Sequence, residues 1–227
     1  MCLEPVSGVE GSDYINASWL PGHRGLAQFV LTQHPKESTR EDFWRLIWEQ
    51  KIQTAVVLSS IAEPDYPVFW TTVQTRHGNI ILSPTEEGLL SGFQTKDFSL
   101  RLHNETRSMK VRLIFCPDWG NEDSAMMLGL VGVINSLPPA NPTLVMDTVG
   151  GAQAGILVAL STLLQEAAAD GFVDVYKTAK SLHKARPGLW QGSDTLLTIY
   201  QLTLAYCNKL DGRGNPDGSE EKMVSKF

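Results

Sequence analysis

Between Thr143 and Ala159 the chain reads TLVMDTVGGAQAGILVA: an apolar run, a turn of small residues, then a second apolar run. That order predicts a buried strand, a tight loop and the opening turns of a buried helix. Elsewhere the period of the apolar positions changes along the chain. Ser12 to Gly22 (SDYINASWLPG) and Gly25 to Pro35 (GLAQFVLTQHP) predict two short strands about a Pro21-Gly22 turn. Ser38 to Gln50 sets Phe43, Trp44, Ile47 and Trp48 at helical spacing, with Ser38 and Glu41 as a capping box and both tryptophans assigned to the core. Thr54 to Leu58 reads as a buried strand, VFWTTV and GNIILSP as antiparallel strands about a turn at Arg76 to Asn79, and Met109 to Phe115 as another strand. Asn121 to Ser136 is helix-like, weakened by Gly129 and Gly132 and ended by Pro138-Pro139. After the central stretch the helix continues to Ala169. A further helix over Val173 to Ala185 places Val173, Tyr176, Ala179, Leu182 and His183 near one face, with His183 a surface or capping group, and Asp194 to Leu210 forms a last amphipathic helix. Residues 1 to 210 are expected to form one domain and Asp211 to Phe227 a polar, disordered tail.

Composition narrows the reading. A chain of 227 residues that is 42% hydrophobic has material for one substantial core of mixed class. Its net charge of −6, with no concentration of Lys and Arg, excludes a broad nucleic-acid or anionic-membrane surface. Cys2, Cys116 and Cys207 are widely spaced and lack a CxxC pattern, so neither a disulfide framework nor a metal site is expected, and a reducing compartment fits. The apolar runs fall short of the roughly 18 to 20 residues that span a bilayer, so no direct membrane insertion is expected of this segment. The opening MCLEPVSG lacks the apolar centre of a signal peptide.

The junction after the central strand aims several backbone N–H groups and the positive end of a helix dipole at one point, which makes it an anion site. The loop, however, begins with a carboxylate, Asp147, and no Lys or Arg occurs from Thr143 to Asp170. A phosphate cradle is drawn and then given the wrong charge.

These residues resemble the signature loop of the protein tyrosine phosphatases, His-Cys, five residues, then Arg and Ser or Thr. Met146 stands at the His, Asp147 at the nucleophilic Cys, Gln153 at the Arg and Ala154 at the Ser/Thr, while Gly150 and Gly155 match glycines of the family. The remnant of the phosphate loop thus runs Asp147, Thr148, Val149, Gly150, Gly151, Ala152, Gln153. Asp in the Cys place, with the Gly-Gly turn and Ala-Gly helix start, is similar to the membrane-distal second (D2) domain of the zeta/gamma group of receptor-type phosphatases. Other matches follow in order: Ser12 to Ser18; the Thr-Gln-x-Pro at Thr32 to Pro35; Cys116-Pro117-Asp118, where the family has Trp-Pro-Asp with its general acid; and Arg186-Pro187-Gly188 before a glutamine loop in which Gln191 matches the first glutamine and Thr195 replaces the second. Residues that the family carries ahead of this stretch, and a Lys between Lys51 and Lys96, are missing, so the chain resembles a truncated domain.

The resemblance implies an α/β (α+β) tyrosine phosphatase fold, a central twisted mixed sheet flanked by helices. It implies no active catalytic residue, because thiolate and guanidinium are both replaced and only Asp118 survives. The expected role is a regulatory protein-interaction module on the cytoplasmic side of the plasma membrane, part of a single-pass receptor. Its partners would be the active first domain (D1), a second receptor copy or a cytoplasmic adaptor, with no cofactor. The alternative is a weakly active or substrate-binding phosphatase. Asp147 also resembles aspartyl phosphotransferase and aspartic protease strings, but Val149 stands where the first needs Asp and the second Gly.

Overall fold

A computed structural model describes residues 1–59, 66–119, 123–138, 141–190 and 192–210. Gln191, Pro139, Asn121 and the expected tail from Asp211 to Phe227 lie outside the described residues. Eight strands form one sheet: β1 (Ala17–Gly22), β2 (Gly25–Gln33), β3 (Thr54–Val57), β4 (Thr75–His77), β5 (Ile80–Leu90), β6 (Phe93–Leu102), β7 (Ser108–Phe115) and β8 (Thr143–Asp147). Their order is β1-β2-β8-β3-β7-β6-β5-β4. The central four, β2, β8, β3 and β7, are parallel and the flanking pairs antiparallel. Parallel strands need cover on both faces. One face is covered by α1 (Arg40–Glu49) and the other by α2 (Ser124–Ser136), α3 (Ala152–Asp170), α4 (Val175–Ala185) and α5 (Ser193–Leu210).

The strand β8 shows how the alternation works. Leu144 and Met146 join the α1 side with Phe43, Trp44 and Ile47, whereas Val145 joins the α3 side with Leu157 and Leu160. All of them are buried, as expected of a strand covered on both faces. The helix α3, 19 residues with a mean hydropathy of 1.2, is long and apolar enough to cross a membrane, contrary to the reading of its sequence. Its apolar side chains are instead spent on the core: Ala154 and the run from Leu157 to Leu160 are fully buried.

Several boundaries move, each for a local reason. The β1–β2 turn lies at His23 and Arg24, because Pro21 and Gly22 belong to β1 at an irregular register. The Ser38 and Glu41 capping box does not form. A 3-10 turn over Glu37–Thr39 precedes α1, and Thr39 Oγ1 accepts from the backbone N–H of Lys36 instead. The stretch VFWTTV is no strand: Phe69 is fully buried beneath Phe43 and Trp44, while the Thr71 hydroxyl binds the Val73 carbonyl and turns the chain. The long β5–β6 hairpin turns at Ser91 and Gly92, both with positive φ (50° and 92°), the backbone a tight hairpin requires. On α4, Val175, Thr178, Ala179 and Leu182 face inward; Tyr176 is 64% exposed, with Lys180 over its ring, and His183 is exposed.

Candidate functional site

The loop from Asp147 to Gln153 follows the C-terminal end of β8, the middle of the parallel strands, and leads into α3. Ligand sites of open α/β sheets sit at this end of the strands. Here the occupant is the protein's own carboxylate. Asp147 is 5% exposed, and its Oδ1 accepts the backbone N–H groups of Val149 (3.0 Å), Gly150 (2.5 Å) and Gly151 (2.9 Å). Its Oδ2 accepts from Gly151 (3.1 Å) and Ala154 (2.9 Å). The donors of the loop and of the first turn of α3 thus converge on one side chain.

Two glycines make that loop possible. At Gly150, φ is +71° and a Cβ would lie 2.7 Å from Arg186 Nη2 and 2.8 Å from the Gln33 backbone nitrogen. At Gly155 a Cβ would lie 2.8 Å from Leu189 Cγ, so α3 can pack against the Leu189-Trp190 segment only because the position has no side chain.

The sequence gives no hint of what holds the loop from outside. Arg186 Nε donates to the Gly150 carbonyl at 2.7 Å, while its Nη1 and Nη2 donate to Ser18 Oγ and Asn16 Oδ1, each at 3.0 Å. One guanidinium therefore ties the loop to the segment entering β1. Burial pulls its pKa below the ordinary arginine value, and the neighbouring Asp147 charge acts in the other direction. His34 is a second unforeseen strut. It is fully buried, its backbone N–H donates to the Asp147 carbonyl at 2.8 Å, and its ring meets Ser59 Oγ at 2.7 Å and the Pro67 carbonyl at 2.9 Å.

The other expected positions contribute less. Gln153 and Asp118 are exposed, Thr148, Ala152 and Thr195 are partly exposed, and Gln191 is outside the described residues. The turn carrying Asp118 is closed through the backbone, from Trp119 N–H to the Cys116 carbonyl at 3.2 Å. Trp119 is buried and donates its indole N–H to the Gln153 carbonyl at 3.1 Å, so the two segments touch through Trp119. Cys116 lies 3.8 Å from Met126 Sδ, and burial, with Asp118 nearby, pushes its thiol up to about 11. It is a packing group and not a thiolate. Val149, 61% exposed, places an isopropyl group on the crest of the loop. A separate groove of about 1190 Å³, lined in part by Trp48, Thr54, Ser108 and Asn141, opens at the opposite ends of the parallel strands, away from Asp147.

A family model described as protein-tyrosine phosphatase matches residues 4–205. The chain belongs to the protein-tyrosine phosphatase family. It is similar to tyrosine-protein phosphatase 99A of Drosophila melanogaster, 34% identical over 209 residues, which are 88% of this chain and 16% of that protein. It is 33% identical over 218 residues to receptor-type tyrosine-protein phosphatase zeta of Homo sapiens, covering 89% of this chain and 9% of that protein. Against receptor-type tyrosine-protein phosphatase S of Gallus gallus it is 28% identical over 223 residues, 93% of this chain and 15% of that protein. The chain therefore spans only 9 to 16% of the length of these relatives. The mixed sheet with helices on both faces is the fold expected of a tyrosine phosphatase domain. Within that domain, the loop presents a carboxylate and a neutral amide where the resemblance calls for a thiolate and a guanidinium.

Proposed function

We propose that this tyrosine phosphatase domain is catalytically silent and acts as a regulatory, protein-binding D2-type domain of a receptor-type phosphatase. The observation that carries the reading is the Asp147 carboxylate, which accepts the N–H groups of Val149, Gly150, Gly151 and Ala154. A phosphate seated there would have to displace a buried anion from the same donors, against like-charge repulsion in a poorly screened site. Phosphoryl transfer through a cysteine would further need a nucleophile and a planar cation to hold the equatorial oxygens. Asp147 cannot serve as the first while its lone pairs are engaged by backbone donors, and Gln153 carries no charge. Arg186 does not substitute for the missing cation, since its guanidinium is committed to Gly150, Ser18 and Asn16.

What the domain keeps is a folded surface. The natural partners are the active first domain of the same receptor, a second receptor copy or a cytoplasmic adaptor, on the cytoplasmic side of the plasma membrane. The test has two arms on the purified chain: turnover of a small aryl phosphate, and calorimetric titration with the first domain of the same receptor. Silence in the first and saturable binding or altered first-domain activity in the second support the reading. Turnover that is lost on Asp118→Asn refutes it.

A further inference from the structure

The groove at the ends of the parallel strands away from Asp147 takes no part in the loop chemistry, and its charges are only partly satisfied within it. Four acids and four bases line it. Asp97 and Arg112 bind each other at 2.7 and 2.6 Å, while Glu49 takes up Arg45 and the backbone N–H of Glu4. Lys51, Arg107 and Lys110 remain, exposed and without an ion pair among the described residues, with Glu4 and Glu105 as the acids left over. Half-buried Trp48, Leu102 and Met109 give the groove apolar surface as well. Lys51 has a φ of 54° just past the end of α1, the left-handed position that glycine usually fills, so a cation is kept there against the preference of the backbone.

We infer that this groove seats the chain's own C-terminal segment, Asp217 to Lys226. Three observations select that occupant. First, the described fold ends on the correct side. The helix α3 runs from the Asp147 loop to Asp170, which reaches His23 in the β1–β2 turn. The helix α5 starts near the first turns of α3, where Leu189 and Trp190 lie against Gly155, and packs on α3 and α2. At about 27 Å it is nearly as long as α3, so Leu210 comes out toward the end of the sheet where the groove opens. Leu137, which ends α2, lines that groove. Second, the length suffices. Asp217 to Glu221 stand seven to eleven residues past Leu210, a span of about 23 to 40 Å when extended. Third, the charges are complementary. The segment carries Asp217, Glu220 and Glu221 with Lys222 and Lys226, three acids and two bases, against three unpaired bases and two unpaired acids in the groove. Met223 and Val224 supply apolar side chains for Trp48 and Met109. Exposed ion pairs are individually weak, but a short tether holds the segment at millimolar effective concentration. The inference is independent of the catalytic reading. A protein partner that reaches this end of the domain must first displace the segment.

Cys2 is exposed and lines the groove, which makes the contact testable in the full chain. With Ser219→Cys, mild oxidation by diamide should give an intramolecular disulfide to Cys2 as the main product on peptide mapping. Glu220→Lys with Glu221→Lys should slow its formation at least fivefold, as should Lys51→Glu with Lys110→Glu. All four substitutions together should restore the rate, an outcome that general unfolding does not produce. Lys51→Gly, which relieves the positive φ, should raise the melting temperature and still slow the cross-link. A disulfide to Cys207 in place of Cys2, or a product formed only between chains, overturns the proposal. So does a rate indifferent to the charge reversals, or one that the four substitutions together fail to restore. An added acidic peptide that binds the chain without slowing the cross-link leaves the tail without that seat and equally overturns it. Failure of the catalytic reading is seen separately in the aryl-phosphate assay, which this experiment does not use.

Discussion

Replacing Asp147 by alanine removes the acceptor of four backbone N–H groups at a position only 5% exposed. Hydrogen bonds to a charged acceptor contribute about 1.5 to 3 kcal/mol each, so four of them would sum to about 6 to 12 kcal/mol if nothing replaced the carboxylate. Two effects reduce that figure: water enters the space vacated, and the cost of burying the carboxylate disappears. The net loss should be about 3 to 5 kcal/mol, a large part of the roughly 5 to 15 kcal/mol that a domain has. The same substitution should expose a vacant anion site. Sulfate at one hundred times its dissociation constant would return about 2.7 kcal/mol to the variant by binding the folded state alone. For a domain of this size that corresponds to roughly 5 to 10 °C in melting temperature. Urea titrations of wild type and Asp147→Ala, in sulfate and in chloride at matched ionic strength, separate specific binding from general salt effects. A variant within about 1 kcal/mol of wild type, or sulfate stabilisation equal in both proteins, would refute the idea that the carboxylate occupies the anion seat.

Three further outcomes are expected. Asp147→Cys alone should give at most trace turnover of an aryl phosphate in a coupled phosphate assay, and adding Gln153→Arg should produce vanadate binding that the single variant lacks, because the guanidinium stabilises the transferring group by several kcal/mol. Burial holds His34 below its ordinary value of 6.5, so as pH falls the unfolded chain takes up the proton first; the neutral ring's contribution is complete above about pH 6.5 and is lost progressively below it, which His34→Gln should flatten in a comparison of urea midpoints between about pH 7.5 and 5.5. Arg186→Lys, which cannot reach Gly150, Ser18 and Asn16 together, should lower stability by about 2 to 4 kcal/mol in thermal unfolding while leaving the far-ultraviolet circular dichroism of the folded state unchanged.

The central loop was legible because strand, carboxylate, paired glycines and helix follow one another within a single short stretch of chain, where local chemistry decides. Asp147 carries its own sign problem in the sequence, and the structure resolves it by turning the carboxylate onto the loop's donors. Arg186 was not legible: its partners lie 36, 168 and 170 residues away, and only the fold brings them together. The same holds for His34, whose ring reads as an ordinary polar residue until Ser59 and Pro67 enclose it. Where an element was misread, a local competitor prevailed. The Thr71 hydroxyl bent a segment whose β-branched and aromatic residues suggested a strand, and Glu41, expected to cap its helix, lies over the turn at Gly78, where an added Cβ would meet its carboxylate oxygen. The Ser91-Gly92 dipeptide is a turn signal, but Leu89, Leu90 and Phe93 around it do not alternate, so the period of two that marks a hairpin is hidden there.

The Arg186 bracket also has a temporal meaning. During synthesis the loop at Gly150 leaves the ribosome before the side chain that will hold it, and the 36 residues that must be added to reach Arg186 take about 2 to 7 s at ordinary rates of elongation. Over that interval the Gly150 carbonyl has no guanidinium, and β1 and β8 are not yet joined through it. The nascent chain therefore fastens its central loop only once α4 has been made, when Arg186 reaches back to Asn16 and Ser18.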